Sequence, residues 1–406
     1  MNSPVVLGED FIQDRQALYR RLFEEGPVRE AVMPDGLRVW LVTRYADARE
    51  VLASPKFSKD SRRAAPLHDQ QEQEGVQRTF LAEVLTVHLL NVDPPDHTRL
   101  RRLIGKEFTA RRVEQLRPWI EQVTDGLLDN MAGQDHVDLL GAFAFPLPVT
   151  VICELFGVPA ADRERFRGLF NGIAFGASPD AIGRASEDMA AYLNELVVSK
   201  RSSQDDDLLS ALIRASDEGD RLSEIELVSM SFLMLTAGFE TTAHLIGNAV
   251  AGLLCNPDQL AALRADPALL PAVVEEVLRY AGPAGMTTLR FTTEPVVVGD
   301  VEIPAGEFVE VLLGGANRDP EVFDHPDSFD VRRKSASHLA FGHGIHHCVG
   351  APLARLEGQI AIGRLLARFP DLALAVEPSA LRWRNSVLFH GLEEVPLKLS
   401  RTGGTE

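Results

Sequence analysis

Three stretches of the chain combine residue types that do chemistry. FGHGIHHCVG, residues 341–350, sets Cys348, one of only three cysteines, among glycines and histidines. A cysteine so placed has two readings: a small apolar residue that packs, or a sulfur that holds something. LMLTAGFETTAHL, residues 233–245, carries Ala237 and then Gly238 inside a helical pattern, where glycine costs roughly 1 kcal/mol relative to alanine. Either a local kink or the close approach of a flat ligand to bare backbone accounts for that glycine. Glu240 and Thr241 follow directly. Adjacent residues do not share a helix face, so this acid and alcohol would link opposite sides of a distorted turn, one facing water and the other a reacting centre.

DPPDHTRLRR, residues 93–102, puts His97 and Arg101 four apart, on one helix face. They are a surface pair or a grip for carboxylates. Arg290 follows a β-prone TTL, and His346 precedes Cys348 by two. Four such donors suffice to bind a planar dianion through two acid arms. Glu276 and Arg279 in EEVLRY, three apart, read as a buried scaffold ion pair that holds a loop in place; a lone surface pair would carry little specificity.

These residues need elements to position them. The 406 residues are 45% hydrophobic, enough for a large core, and nothing in the sequence forces a split, so 1–406 reads as one domain. Asp and Glu outnumber Lys and Arg by 59 to 41, a net charge of -18, which excludes a general nucleic-acid binder. The opening MNSPVVLGEDFIQDR lacks a basic flank and a long apolar run, and no stretch has the length of a membrane span. Three widely spaced cysteines suggest neither a disulfide framework nor a zinc site, so a reduced cytoplasmic setting is expected.

Pro34-Asp35-Gly36 between two β-prone runs predicts an early hairpin. Residues 60–88 read as loop with short helical pieces. Helical patterns dominate from 94 to 280: a first helix capped by Asp93 with Pro94 at its first position, then helices at 111–131, 147–156, 161–170 and 181–201. Gly172, Gly176 and Pro179 between the last two suggest a mobile connection. Ser223 with Glu226 forms a capping-box signature for the longest helix, running to Cys255 before Asn256-Pro257. Its 32 or so residues would span about 48 Å, as a buried central helix. Short strands follow residue 280, and a last helix spans 351–368. The expected class is mostly α with a smaller β portion.

Taken together and in this order, DPPDHTRLRR, AGFETT, EEVLRY, ANRDP and FGHGIHHCVGAPLARLE resemble a bacterial cytochrome P450 over nearly the full chain. The resemblance implies the fold of that family, with haem b (iron protoporphyrin IX) between the central helix and a proximal helix. It implies that Cys348 is the axial thiolate and metal ligand, that Phe341 covers that side, and that Gly342, Gly344 and Gly350 permit the tight loop. It makes Ala237 and Gly238 the haem-facing stretch of the central helix. His97, Arg101, Arg290 and His346 become the propionate partners, whereas His343 and His347 gain no role. Glu276 and Arg279 become the scaffold pair, completed by a third arginine, with Arg332 and Arg318 as competing candidates.

The implied chemistry is a monooxygenase reaction with O2, in which Thr241 organises water at the reacting centre and Glu240 connects it to solvent. Electrons would come from a ferredoxin and its NAD(P)H-dependent reductase, steered by the basic run Arg102, Lys106, Arg111 and Arg112. In the resembled fold the substrate pocket takes Leu89, Leu90, Leu233 and Ala237, a strand with Ala284, Gly285, Met286 and Thr287, and a terminal turn with Val387, Leu388 and Phe389. FSKD at 57–60 and PLPVTVICELFGVP are similar to the macrolide- and polyketide-tailoring subgroup. A hydrophobic macrolide or other polyketide, hydroxylated or epoxidised by a monomeric enzyme, is therefore the first expectation. A steroid or terpenoid hydroxylase, and a P450 that uses peroxide or couples rings oxidatively, are the alternatives.

Overall fold

The computed structural model describes residues 3–76, 81–202, 205, 207–217, 222–334 and 337–399. Its body is helical and is organised around one helix, Glu224–Cys255. The sequence dictates that helix locally at its start. The Ser223 hydroxyl accepts the Glu226 N–H and the Glu226 carboxylate accepts the Ser223 N–H, so two orphan donors of the first turn are satisfied reciprocally. Asn256 and Pro257 end it. Helices Pro146–Leu155, Pro179–Arg201, Leu270–Ala281 and Ala351–Arg368 all pack against it.

Such a surrounded helix must be apolar on all sides, and from Leu227 to Ala251 it is buried except at Leu233, Ala237, Gly238 and Thr241. Leu233, Ala237 and Thr241 fall at i, i+4 and i+8, so they form a single open stripe along one face. The helix runs through this stretch without a break, where a distorted turn was expected. Gly238, which keeps part of its surface exposed, also serves packing. A Cβ there would stand 3.0 Å from Cδ1 and 3.1 Å from Cγ1 of Ile152 on helix Pro146–Leu155.

The β portion is a six-stranded mixed sheet in the order Val5–Val6, Val28–Val32, Arg38–Val42, Phe308–Val311, Arg290–Thr292, Phe57–Ser58. The expected hairpin is present, with Ala31 opposite Val39 and Gly36 at φ +90° in its turn. This sheet and helices Glu9–Gln13 and Arg15–Glu25 enclose a second core of Leu7, Phe11, Leu22, Leu41, Met286 and Phe308, apart from the main helical core.

Several boundaries move. Ser61–Gln73 is one helix capped by Asp60, where loop with short pieces was expected; residues 77–80 of that segment lie outside the described residues. The helix after the double proline starts at Asp96, and Asp93 does not cap it with its side chain. The Asp93 carboxylate accepts instead from the Ser58 hydroxyl at 2.5 Å and the Lys59 N–H at 3.0 Å, because that sheet edge competes for it. Helix 111–131 is split at Leu116, ahead of Pro118. Gly172 and Gly176 are spaces for a close crossing: Cβ atoms there would meet Ala185 at 2.8 Å and Ile182 at 2.5 Å on the next helix. Residues 284–287 form no strand; Ala284 makes one isolated bridge to Phe389.

Replacing Ser223 by Ala removes half of the capping box. Unfolding free energy is expected to fall by about 1 kcal/mol, seen as a lower urea midpoint at unchanged slope; an unshifted midpoint would show that the cap carries no stability.

Candidate functional site

The loop before helix Ala351–Arg368 is shaped by two glycines that only glycine fits. Gly342 and Gly344 have φ of +71° and +72°, and a Cβ on Gly344 would stand 2.6 Å from the Leu52 carbonyl oxygen. The chain then folds back, with the Cys348 N–H donating to the Phe341 carbonyl at 2.9 Å. The Cys348 side chain faces open space, yet it is deep enough that desolvation pushes its thiol above the ordinary range. The Gly350 and Ala351 N–H groups and the charges of Arg101 and Arg355 pull the other way. A sulfur with N–H donors aimed at it and cations nearby is equipped to be a thiolate ligand.

Phe341 is held beside this loop by Arg355, whose guanidinium lies 4.6 Å from the ring centroid. Arg355 in turn donates to Glu275 at 2.6 and 2.9 Å, and Glu275 also meets His338 at 3.1 Å. These partners outweigh its burial and hold the Glu275 carboxyl at about 2. Sequence reasoning missed Arg355 and Glu275, although both stand inside the quoted motifs.

The four expected anion donors come together. The rings of His97 and His346 are 4.4 Å apart, edge to face, and His346 feels the charges of Arg290 and Arg101. Lys59, which sequence reasoning did not place here, belongs to the same group. Its ammonium donates to the Thr288 carbonyl at 3.2 Å and to the Thr288 hydroxyl. Burial lowers every member, and repulsion from neighbouring cations adds to it at Lys59, His97 and His346: His346 falls to about 2, Arg290 to about 10, Lys59 well below its usual value. Glu310 and Asp93 are the compensating carboxylates; burial raises Glu310 to about 7 against the pull of Thr287, Lys59 and Arg290. His97 Nε2 is buried without a partner. Buried cations in excess, with an orphaned ring nitrogen, fit a ligand that brings two carboxylates. The haem implied by the sequence resemblance is such a ligand.

Across the site, Thr241 lies on the open stripe and its hydroxyl donates to the Ala237 carbonyl at 2.8 Å. Glu240 points into the protein at 1% exposure, rather than to water. Its Oε1 meets His244 Nε2 at 3.0 Å and Arg384 Nη1 at 3.3 Å, while Oε2 has no partner. Arg384 is the part of this group that reaches solvent, over the rings of Phe145 and Phe175.

Of the expected pocket residues, Leu233, Ala237, Leu90, Ala284, Val387, Leu388 and Phe389 keep exposed or half-exposed surface. Leu89 and Met286 turn into the main and second cores. Gly285 is buried beneath Arg15, and the Thr287 hydroxyl is turned to the sheet, donating to Glu310 at 2.8 Å. Thr287 itself stays half-exposed.

The scaffold pair is present and its third arginine is a neighbour of the one expected. Arg279 donates to both Glu276 oxygens at 2.8 and 2.7 Å. Arg333 donates to the same carboxylate at 3.2 and 3.3 Å and to the Ser328 carbonyl at 2.9 Å. Arg332 is exposed. Arg318 pairs with Asp327 at 2.7 Å and with the Tyr280 carbonyl at 2.8 Å. Arg279 also donates to the Asn317 carbonyl at 3.1 Å, and the Asn317 side-chain oxygen accepts the Leu339 N–H at 2.6 Å. The Leu339 carbonyl then accepts the Gly342 N–H at 2.8 Å. A continuous path of hydrogen bonds thus runs from Glu276 into the Cys348 loop.

The family model described as Cytochrome P450 matches residues 180–375. The chain is 49% identical to Cytochrome P450 monooxygenase PikC of Streptomyces venezuelae, over 97% of this chain and 93% of that one. It is 46% identical to Vitamin D(3) 25-hydroxylase of Pseudonocardia autotrophica, over 96% and 94%. Among solved structures, the tirandamycin C-bound P450 monooxygenase TamI superposes with a TM-score of 0.92 at 47% identity, covering 98% of this chain and all of that one. Among the described residues no helix is long and apolar enough to cross a membrane.

Arg333→Ala leaves a buried carboxylate short of one partner and is expected to cost about 3 kcal/mol, read from urea unfolding. Arg332→Ala is expected to stay within about 0.5 kcal/mol of wild type; equal losses would refute the assignment. Glu275 is depressed in the folded state, so its contribution is full above the ordinary value of 4.5 and is lost as pH falls toward about 2. Glu275→Gln should therefore differ from wild type most near neutrality and converge with it in acid; a gap that does not narrow on acidification would contradict the Arg355 pairing.

Proposed function

The chain belongs to the cytochrome P450 family of haem-thiolate monooxygenases that act on hydrophobic metabolites, and from that premise we propose that it hydroxylates or epoxidises a macrolide or related polyketide. One observation carries the substrate reading. The open stripe of the central helix offers Leu233 and Ala237 with Thr241 as its hydroxyl, and no charged side chain. A large, weakly polar ring system suits such a face. The similarity to PikC and to tirandamycin C-bound TamI supports the same class. The vitamin D(3) hydroxylase among the relatives favours a second reading, a steroid-like substrate.

In this proposal Cys348 would supply the thiolate ligand, and His97, Arg101, Arg290, His346 and Lys59 would hold the two propionates. When bound, the haem supplies reductive activation of O2 and transfer of one oxygen atom to substrate. The Gly350 and Ala351 N–H groups draw charge from the sulfur and so tune its donation. Thr241 holds a hydroxyl at the open face, where it orders water. Glu240 stores a carboxylate one residue away, and Arg384 connects that carboxylate to solvent. Arg102, Lys106, Arg111 and Arg112 are exposed, and they would steer an acidic ferredoxin in a salt-sensitive way.

The test is turnover of the haem-loaded enzyme with O2, ferredoxin and its reductase on a panel of macrolides, other polyketides and steroids. Mass analysis should find products heavier by one oxygen, formed more slowly at high ionic strength. Cys348→Ser should abolish the red-shifted carbon-monoxide band of thiolate-ligated haem. Turnover confined to steroids would reject the macrolide reading, and an unchanged band in the variant would reject the ligand.

A further inference from the structure

Arg15 stands far from every motif, at the first position of helix Arg15–Glu25, and it is one of the most buried charges in the protein, 3% exposed. Among the described residues no carboxylate pairs with it. Its guanidinium instead donates to three backbone carbonyls of one turn near the other end of the chain. Nη1 reaches Val387 O at 3.1 Å, and Nη2 reaches Phe389 O at 3.0 Å and Ser386 O. Two residues earlier, Gln13 bonds both the carbonyl and the N–H of Trp383, at 2.8 and 3.2 Å. The N-terminal helices are thus stitched to residues 383–389 by polar contacts that a core of apolar side chains would not need.

A buried guanidinium without a counter-ion is costly, so this one is retained by the carbonyl cage and fixes the cage in return. The site is closed on its other side as well. A Cβ on Gly285 would stand 1.8 Å from Arg15 Nη1, so Gly285 is glycine to admit the guanidinium. The Gly285 N–H donates to Leu388 O at 2.9 Å, and Ala284 bridges to Phe389. The Phe389 ring lies 6.3 Å from His244 of the central helix and 6.5 Å from Phe175. The turn therefore sits between the central helix and the segment joining helices Arg163–Ala174 and Pro179–Arg201.

We propose that Arg15 is a positioning residue for substrate specificity: with Gly285 it sets the height of the Ser386–Phe389 turn, which forms one wall of the substrate cavity. This rests on the reading of Val387, Leu388 and Phe389 as cavity wall. Arg15 touches neither substrate nor haem. Its effect is transmitted through backbone carbonyls, so it selects which apolar outlines fit and leaves the sulfur side untouched.

The experiment uses haem-loaded wild type, Arg15→Lys, Arg15→Met, Gly285→Ala and Phe389→Ala, each first checked for an intact reduced carbon-monoxide band. Two probes are titrated by the shift of the haem Soret band: imidazole, too small to reach the wall, and 4-phenylimidazole, whose ring must fit beside it. In Arg15→Met and Gly285→Ala the affinity for 4-phenylimidazole should fall about tenfold, equivalent to one or two lost hydrogen bonds, with imidazole unchanged. Arg15→Lys, which keeps the charge and part of the bonding, should recover part of the loss. If Phe389→Ala weakens 4-phenylimidazole while the Arg15 and Gly285 variants do not, the role of Arg15 is refuted and the wall stands. If Phe389→Ala is silent too, the wall itself is misplaced. Equal weakening of both probes in Arg15→Lys would mean general damage at the haem and would also overturn the proposal.

Discussion

One carboxylate without access to water governs the sulfur side of the site. Glu276 is 4% exposed and is surrounded by Arg279, Arg333 and the Asp330 N–H. Hydrophobic residues of similar volume would give comparable stability there, since burying such ions costs about as much as their attraction returns. What the ions add is direction. The guanidinium of Arg279 spends its remaining donors on the carbonyls of Asn317, Pro326 and Ser328. It thereby fixes three points of an irregular segment that has little regular structure of its own. Asn317 passes that constraint to Leu339, and Leu339 to Gly342. A thiolate that must meet iron at one height needs a loop located this way, because glycine-rich backbone does not locate itself.

The edge of the site beside that loop obeys a different constraint, which is uncompensated charge. Lys59, Arg290, Arg101, His97 and His346 come from four separate parts of the chain and converge on a region where Glu310 is the main compensating group. Desolvation lowers the proton affinity of all five, and repulsion between neighbours adds to it at Lys59, His97 and His346. A protein that folds such a cluster does so with an anion in prospect, and the charges then bind it far more strongly than surface residues would. Glu310, whose carboxylate accepts the Thr287 hydroxyl, ties this cluster to the segment that follows Ala284.

Features set by adjacent residues were legible in the sequence. The Ser223 and Glu226 capping box, the Pro34-Asp35-Gly36 turn and the glycines around Cys348 each encode their geometry within a few positions. His97, Arg101, Arg290 and His346 were legible as donors because their residue types suit carboxylates. The misses have physical causes. Arg332 and Arg333 differ by one position, and a turn in irregular backbone decides which faces inward. Lys59 reads as a polar residue of a short strand edge until the fold folds Arg290 beside it. Gly238 invites a ligand in sequence, and its packing against Ile152, eighty-six residues earlier in order, was not legible there. Met286 was placed on the cavity by the resemblance, which gave the segment as a strand. It is irregular, and Met286 turns into the second core while Ala284 and Gly285 meet the terminal turn.

The two sides of the site therefore draw on different parts of the chain. The sulfur loop is braced by Glu276, Arg279, Arg333 and Glu275, all from the two-thirds point of the sequence onward and all backed by the main core. The cavity walls are assembled from termini and connections: Arg15 and Gln13 at one end, Leu90 and Phe175 in the middle, Ser386–Phe389 at the other. Substitutions in the second group can reshape the cavity while the ion network of the first stays intact, because among the described residues no hydrogen bond joins Arg15 or its turn directly to the Glu276 cluster. Reaction type is consequently written in contiguous motifs, whereas substrate choice is written in meetings between distant segments. That separation is why the chemistry of this chain is readable from a few short stretches while its substrate emerges only once the fold brings the distant ones together.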